Sequence, residues 1–205
     1  MASASAEIAA FVKVLPNSDR ADAELQISLS STEPGSADPV FERMPGLQCA
    51  ATTLRPESCG SVMIRSADPD ATPAIRTNVL SEEYDREVTI GMVRYARRLM
   101  HHPLMQPYIG QETFPGSGCR ADEEIVDVCR RQGSPGSHFS GTCRMGQDRL
   151  AVVDERLRVR GAFSLRVADA SIMPTLVSGN INGPVMAMAW RAADLILEES
   201  GIGTV

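Results

Sequence analysis

His138 is one of three histidines in the chain and stands in Gln132-Gly-Ser-Pro-Gly-Ser-His-Phe-Ser-Gly-Thr, a Gly/Ser-rich segment. Backbone of that composition can approach a ligand closely. Three kinds of chemistry compete for this residue. A cysteine–histidine nucleophile would pair Cys143 with His138, but nothing nearby reads as the group that orients such a pair. A serine hydrolase would use Ser137 or Ser140 with His138 and Asp169, yet the chain has no Gly-x-Ser-x-Gly elbow. A redox site would use His138 as a base beside a bound cofactor. For that reading the turn Ser178-Gly-Asn-Ile-Asn-Gly matters, because it precedes a helix. A helix start offers unpaired N–H groups and partial positive charge to an anionic ligand.

The other candidates have plainer explanations. His101 and His102 close a helix, where a cation interacts well with the C-terminus. Adjacent residues on a helix point different ways, so the pair reads as a cap, not a metal site. Five cysteines (Cys49, Cys59, Cys119, Cys129 and Cys143) form an odd, scattered set without a Cys-x-x-Cys pair. They read as reduced, buried or half-buried thiols; neither a disulfide framework nor zinc is expected.

The elements that must position these residues follow from hydrophobic patterning. Ala23 to Ser30 alternates, placing Leu25, Ile27 and Leu29 on one strand face. Ser30 to Pro45 is rich in Ser, Glu, Pro and Gly and reads as a loop. Leu47–Leu54, Ser61–Ser66 and Ala74–Leu80 are strand candidates. Ser81 is a plausible N-cap for a helix whose stripe is Val88, Met92, Tyr95 and Leu99, ending before Pro103. Asp122 to Arg131 is a second helix with Ile125, Val126 and Cys129 inward. Leu157 and Val159 alternate, and Leu165–Ala168 is a compact strand ending at Asp169. Pro184 suits a first helical position. Val185, Met188, Ala189, Ala192, Leu195 and Ile196 then form a buried stripe. The fold class expected is α+β: an antiparallel sheet with helices over residues 1–134, then a strand–loop–helix segment over 135–205 that belongs to an incomplete α/β layer.

The chain has 205 residues, 43% hydrophobic and 22% charged, with a net charge of −6. Those values fit a globular chain and argue against disorder or a coiled coil. The acidic balance argues against a nucleic-acid or anionic-membrane binder. No window reaches the ~18 apolar residues of a membrane span. The N-terminus has no basic lead or sustained apolar stretch, so a cytoplasmic location is expected.

Taken in order, His138-Phe-Ser-Gly-Thr-Cys-Arg-Met-Gly, Ala151-Val-Val-Asp, Leu157-Arg-Val-Arg-Gly, Leu165-Arg-Val-Ala-Asp-Ala-Ser-Ile-Met-Pro, Ser178-Gly-Asn-Ile-Asn-Gly-Pro and Ala192-Ala-Asp resemble the C-terminal portion of the glucose–methanol–choline (GMC) flavoprotein oxidoreductases. Upstream, Leu54-Arg-Pro-Glu-Ser-Cys-Gly-Ser-Val, Ser66-Ala-Asp-Pro and Glu112-Thr-Phe-Pro-Gly resemble that family's substrate domain. The resemblance implies oxidation of a small-molecule alcohol, with the hydride passing to N5 of FAD and the hydroxyl proton to His138. It sets Asn180 at a second active-site position, His in some members and Asn in choline-oxidising ones. It places Asp169 and Ala170 against FAD, and Ile181 and Asn182 at the flavin's pyrimidine edge. Without the motif, Asp169 would read as a helix or turn cap. Full members carry an N-terminal Gly-x-Gly-x-x-Gly strand–turn–helix for the FAD pyrophosphate, and no such fingerprint occurs here. The expectation is therefore a chain that needs an N-terminal FAD-binding part or self-association, with a non-catalytic interaction module as the alternative.

Overall fold

The segment Ala-Glu-Leu-Gln-Ile-Ser pairs on both of its edges. In the computed structural model, which describes residues 6–33, 40–134 and 136–201, it is the central strand β2 (Ala23–Ser28) between β1 (Ile8–Val12) and β3 (Gln48–Thr53). Both pairings are antiparallel, with Ile8 opposite Ile27 and Ala23 opposite Thr53. β4 (Ser61–Met63) and β5 (Ala74–Arg76) form a separate two-stranded sheet. The helices are α1 (Glu83–Met100), α2 (Asp122–Gln132) and α3 (Asn182–Glu199), with 3-10 turns at Gln106–Tyr108 and Ala170–Ile172. The fold is mixed α and β with small antiparallel sheets, as the patterning predicts.

Two compact units divide the chain: the described residues of Met1–Gly60 with Arg76–Pro135, and those of Ser61–Ile75 with Gly136–Val205. In the first, α1 lies against β2, β3 and α2. Its stripe works as patterned: Val88 and Met92 are buried with Ala23, and Val12, Val14, Leu15 and Tyr84 pack around them. Burying one such side chain contributes roughly 1.5–3 kcal/mol. Arg97 leaves the stripe and grips Glu112 through two parallel N–H···O contacts, Nε to Oε2 at 3.0 Å and Nη2 to Oε1 at 2.7 Å, while Nη2 also donates to the Gly116 carbonyl at 3.0 Å. That fork fixes the Glu112–Gly116 segment onto α1.

Several local expectations are corrected. Ser81 does not cap α1; Glu82 holds the extended cap position without a side-chain bond. The Ser81 hydroxyl is buried with no partner among the described residues. The third strand candidate stops at Arg76 because Asn78 and Leu80 take positive φ, 51° and 58°. Likewise, β4 stops at Met63. Leu29 lies past the end of β2 and is exposed, unlike buried Leu25. β1 carries no inward alternation that would mark it as a strand, since Ile8 and Phe11 are both exposed on it. Among the five free cysteines only Cys59 is exposed. Positions 34–39 of the Ser30–Pro45 loop lie outside the described residues; Thr32 bridges Phe41 across it. No helix among the described residues is long and apolar enough to cross a membrane.

Asp22 pins the turn between β1 and β2. Fully buried, it accepts N–H bonds from Val14 at 2.7 Å and Leu15 at 3.1 Å, and a hydroxyl bond from Ser18. Burial pushes its carboxyl up, but the Ser18, Val14 and Leu15 donors outweigh that and hold it below its ordinary value of 3.8. Its native ionisation thus lies below the unfolded one, so its contribution is present at neutral pH and lost as pH falls through the carboxylate range. Asp22→Ala orphans those donors and is expected to cost about 2 kcal/mol in urea unfolding at neutral pH. The gap from the native chain should narrow as the pH is lowered toward roughly pH 3; an undiminished gap would contradict the charged role of Asp22.

Candidate active site

In the second unit the His138 loop is tied down at its far end. Cys143 N–H donates to the Ser171 carbonyl at 3.0 Å and Met145 N–H to the Ile172 carbonyl at 2.8 Å. Ile172 and Met173 are buried, and Ile172 sits in the core with Val153, Leu157, Ala192 and Leu195. The near end of the loop is strained: Ser137, immediately before the histidine, has φ 56°. A left-handed non-glycine residue costs on the order of 1 kcal/mol. Gly141 supplies φ 86° without that cost.

Asn180 arrives on the turn before α3. Gly179 at φ 116° allows the reversal. α3 begins at Asn182, with Ile181 in the cap position, so Pro184 is its third helical residue rather than its first. Its missing N–H costs nothing there, because the first intrahelical bond is Val185 N–H to the Ile181 carbonyl, 2.8 Å. The two loops converge: His138 Nε2 lies 2.7 Å from Asn180 Oδ1, across 42 positions of sequence. His138 is half-buried and Asn180 exposed. With the amide oxygen facing the ring, Nε2–H is the donor.

The other sequence candidates separate. Asp169 makes no hydrogen bond to His138 among the described residues; its Oδ1 accepts the Ser171 N–H at 2.8 Å and caps the Ala170–Ile172 turn. A Ser–His–Asp triad is therefore not assembled. Cys143 shares no hydrogen bond with His138 among the described residues either, its N–H being spent on Ser171. His101 closes α1 as a cap, its N–H bonding the Arg97 carbonyl at 2.9 Å. No cluster among the described residues has the ligands for a metal.

Ala170, Ile181 and Asn182 lie with Asp169, His138 and Asn180 in the second unit. The first turn of α3 has no side-chain cap and no acidic residue, and a Cβ added at Gly183 would meet only open space. Free N–H groups, positive helix potential and room beside them suit an electron-rich carbonyl edge such as a flavin's pyrimidine. The donor set thus fits FAD.

The strand expected over Leu165–Ala168 is not formed. Only a single bridge occurs there, Arg158 with Arg166. Nor is the α3 stripe as broad as patterned: Ala192 and Leu195 are buried, Met188 packs against them, and Ile196 is 43% exposed. The opposite face, Met186 and Trp190, is exposed at 66% and 77%; its i, i+4 spacing was the signal that a one-stripe reading passes over.

These features belong to a known family. The family model for the C-terminal part of GMC oxidoreductases matches residues 56–189, well over half of the chain. The chain is 40% identical over 151 residues to the oxygen-dependent choline dehydrogenase of Escherichia coli (strain S88), covering 74% of this chain and 27% of that protein. It thus spans about a quarter of such a relative's length. Pyridoxine 4-oxidase from Mesorbium loti superposes with a TM-score of 0.78 at 27% identity, covering 92% of this chain and 37% of that one. A fungal aryl-alcohol oxidase does so at 0.70 and 30% identity, covering 91% and 29%. The chain belongs to the GMC oxidoreductases, a family of FAD-dependent flavoproteins.

A charge network ties the far end of α3, adding to the packing of its Ala192 and Leu195 in the core. Glu199 accepts from Arg156 Nε at 2.5 Å and from Arg166, and Glu198 pairs with Arg156 and Arg191, each at 3.1 Å. Arg156 above all holds both carboxyls below their ordinary range. Glu199→Ala is expected to lower the urea midpoint of the chain, and roughly 1 M salt should shrink the difference by screening. A variant as stable as the native chain at low salt would contradict the anchoring role.

Proposed function

We propose that this chain is the substrate-side and catalytic-loop portion of a FAD-dependent alcohol oxidoreductase, completed by an N-terminal flavin-binding part. Residues 1–134 form its substrate-domain portion and 135–205 its contribution to the flavin domain. The observation that carries the reading is the meeting of His138 and Asn180, 2.7 Å apart, beside an uncapped helix start. Phe163 at 99% exposure, with Leu165, Met186 and Trp190 also uncovered, supports a need for further protein against this unit.

FAD, when bound, supplies the two-electron acceptor for the hydride of the alcohol carbon. Asp169, Ala170, Ile181 and Asn182 are the residues assigned to hold it. His138 takes the hydroxyl proton, a task for which an imidazole suits because it can exist in both forms near neutral pH. Asn180 cannot accept a proton, so it serves as hydrogen-bond partner. With Oδ1 toward the ring it accepts from Nε2–H, which steadies the ring in its protonated form, and the amide N–H groups on its other side are left for the developing alkoxide. Likeness to choline dehydrogenase, together with Asn180, makes a choline-like amino alcohol the first substrate to try.

In the FAD-loaded, completed enzyme, His138→Ala is expected to slow alcohol-dependent flavin reduction by about 100- to 10,000-fold, the range of general-base contributions. Asn180→Ala should slow it less. Near-native reduction by His138→Ala would remove the base assignment. A protein that stays colourless with FAD and the N-terminal part would favour a non-catalytic interaction module.

A further inference from the structure

Asp169 is exposed at the edge of the site, and one of its carboxylate oxygens is engaged within the protein. Oδ1 accepts the Ser171 N–H at 2.8 Å, with the Asp169 backbone extended, and so caps the 3-10 turn Ala170–Ile172. The turn continues through Ile172 N–H to the Asp169 carbonyl and Met173 N–H to the Ala170 carbonyl, each at 3.2 Å. Two carbonyls of this turn are the acceptors that hold the His138 loop: Ser171 takes Cys143 N–H at 3.0 Å and Ile172 takes Met145 N–H at 2.8 Å. Ile172, 1% exposed, anchors the turn in the core. The stretch from His138 to the first of these bonds is short, and its Gly141 is held in a turn by Arg144 N–H to the Gly141 carbonyl at 3.2 Å. A change in the pitch of the turn therefore passes to the ring with little slack.

From this chain of bonds we infer that Asp169 is a positioning residue for His138. Its side chain sets the turn that fixes the catalytic loop, and through it the distance between the imidazole and Asn180. The inference rests on His138 as the base for its catalytic consequence, but the mechanical link stands apart from it. It also divides the labour of Asp169: one side-chain oxygen and the main-chain carbonyl are held by the turn, while the other oxygen and the main-chain N–H are left for the flavin.

Imidazole nitrogen NMR on the full chain carrying labelled histidine tests this without any flavin. The native chain should show a hydrogen-bonded Nε2–H for His138. Asp169→Ala should lose that signature at His138 while His101 and His102, in the other unit, keep theirs. Asp169→Asn keeps an oxygen acceptor and should restore the native signal. An unchanged His138 signature in Asp169→Ala overturns the inference. Should Asp169→Ala unfold the chain, Asp169→Asn decides alone: a native His138 signal supports the cap, and a lost one overturns it. In the completed enzyme, Asp169→Ala should lower kcat/KM on the order of 100-fold, the scale of a misplaced catalytic group, with Asp169→Asn recovering most of it. If His138→Ala proves active while the NMR result holds, the base assignment has failed and the positioning link has not.

Discussion

The contact between His138 Nε2 and Asn180 Oδ1 is the constraint on which the second unit turns. Two polar side chains on separate loops meet only if both loops are held from behind. One is held by main-chain bonds to the buried Ile172 turn. The other is held by α3, whose inner face packs on Leu157 and Ile172 and whose last turn is clamped by arginines. Neither loop carries enough apolar surface to fix itself. Precision at the site is thus borrowed from a small core and from charge pairs some distance away.

A single device recurs through the chain. Buried or half-engaged aspartates accept main-chain N–H groups from loops that lack a ladder. Asp22 does so for Val14 and Leu15. Asp85, buried on α1, does so for Glu57 at 2.9 Å and Ser58 at 2.7 Å. Asp169 does so for Ser171. Each satisfies donors that would otherwise be orphaned, and charge-assisted bonds of this sort are the stronger ones. In a chain with short strands they do work that sheet pairing does elsewhere.

Strong period and composition made the helices legible. Val88 and Met92 recur at helical spacing and are buried as that spacing demands; Ile125 and Val126 behave likewise. The histidine and the asparagine were legible through motif order, not through periodicity, since neither loop has any. What the residues did not reveal depended on tertiary partners. Leu165–Ala168 has the composition of a strand, but its edges find only the Arg158–Arg166 bridge. Ser81 has the chemistry of a cap, yet the backbone turns one residue later. Trp190 and Met186 spoiled the single stripe of α3 because that helix is apolar on two faces. Asp169 showed two roles on paper, and only the fold shows which atom its carboxylate meets first.

The central claim is that proton removal from the alcohol belongs to His138. The most direct measurement is the pH dependence of the rapid phase of flavin reduction by a saturating alcohol, compared between the completed native enzyme and its His138→Ala variant. The native rate is expected to rise with pH through one ionisation that is absent from the variant, whose rate should be low and follow hydroxide alone. The same ionisation persisting in the variant would contradict the claim and assign the proton to another group.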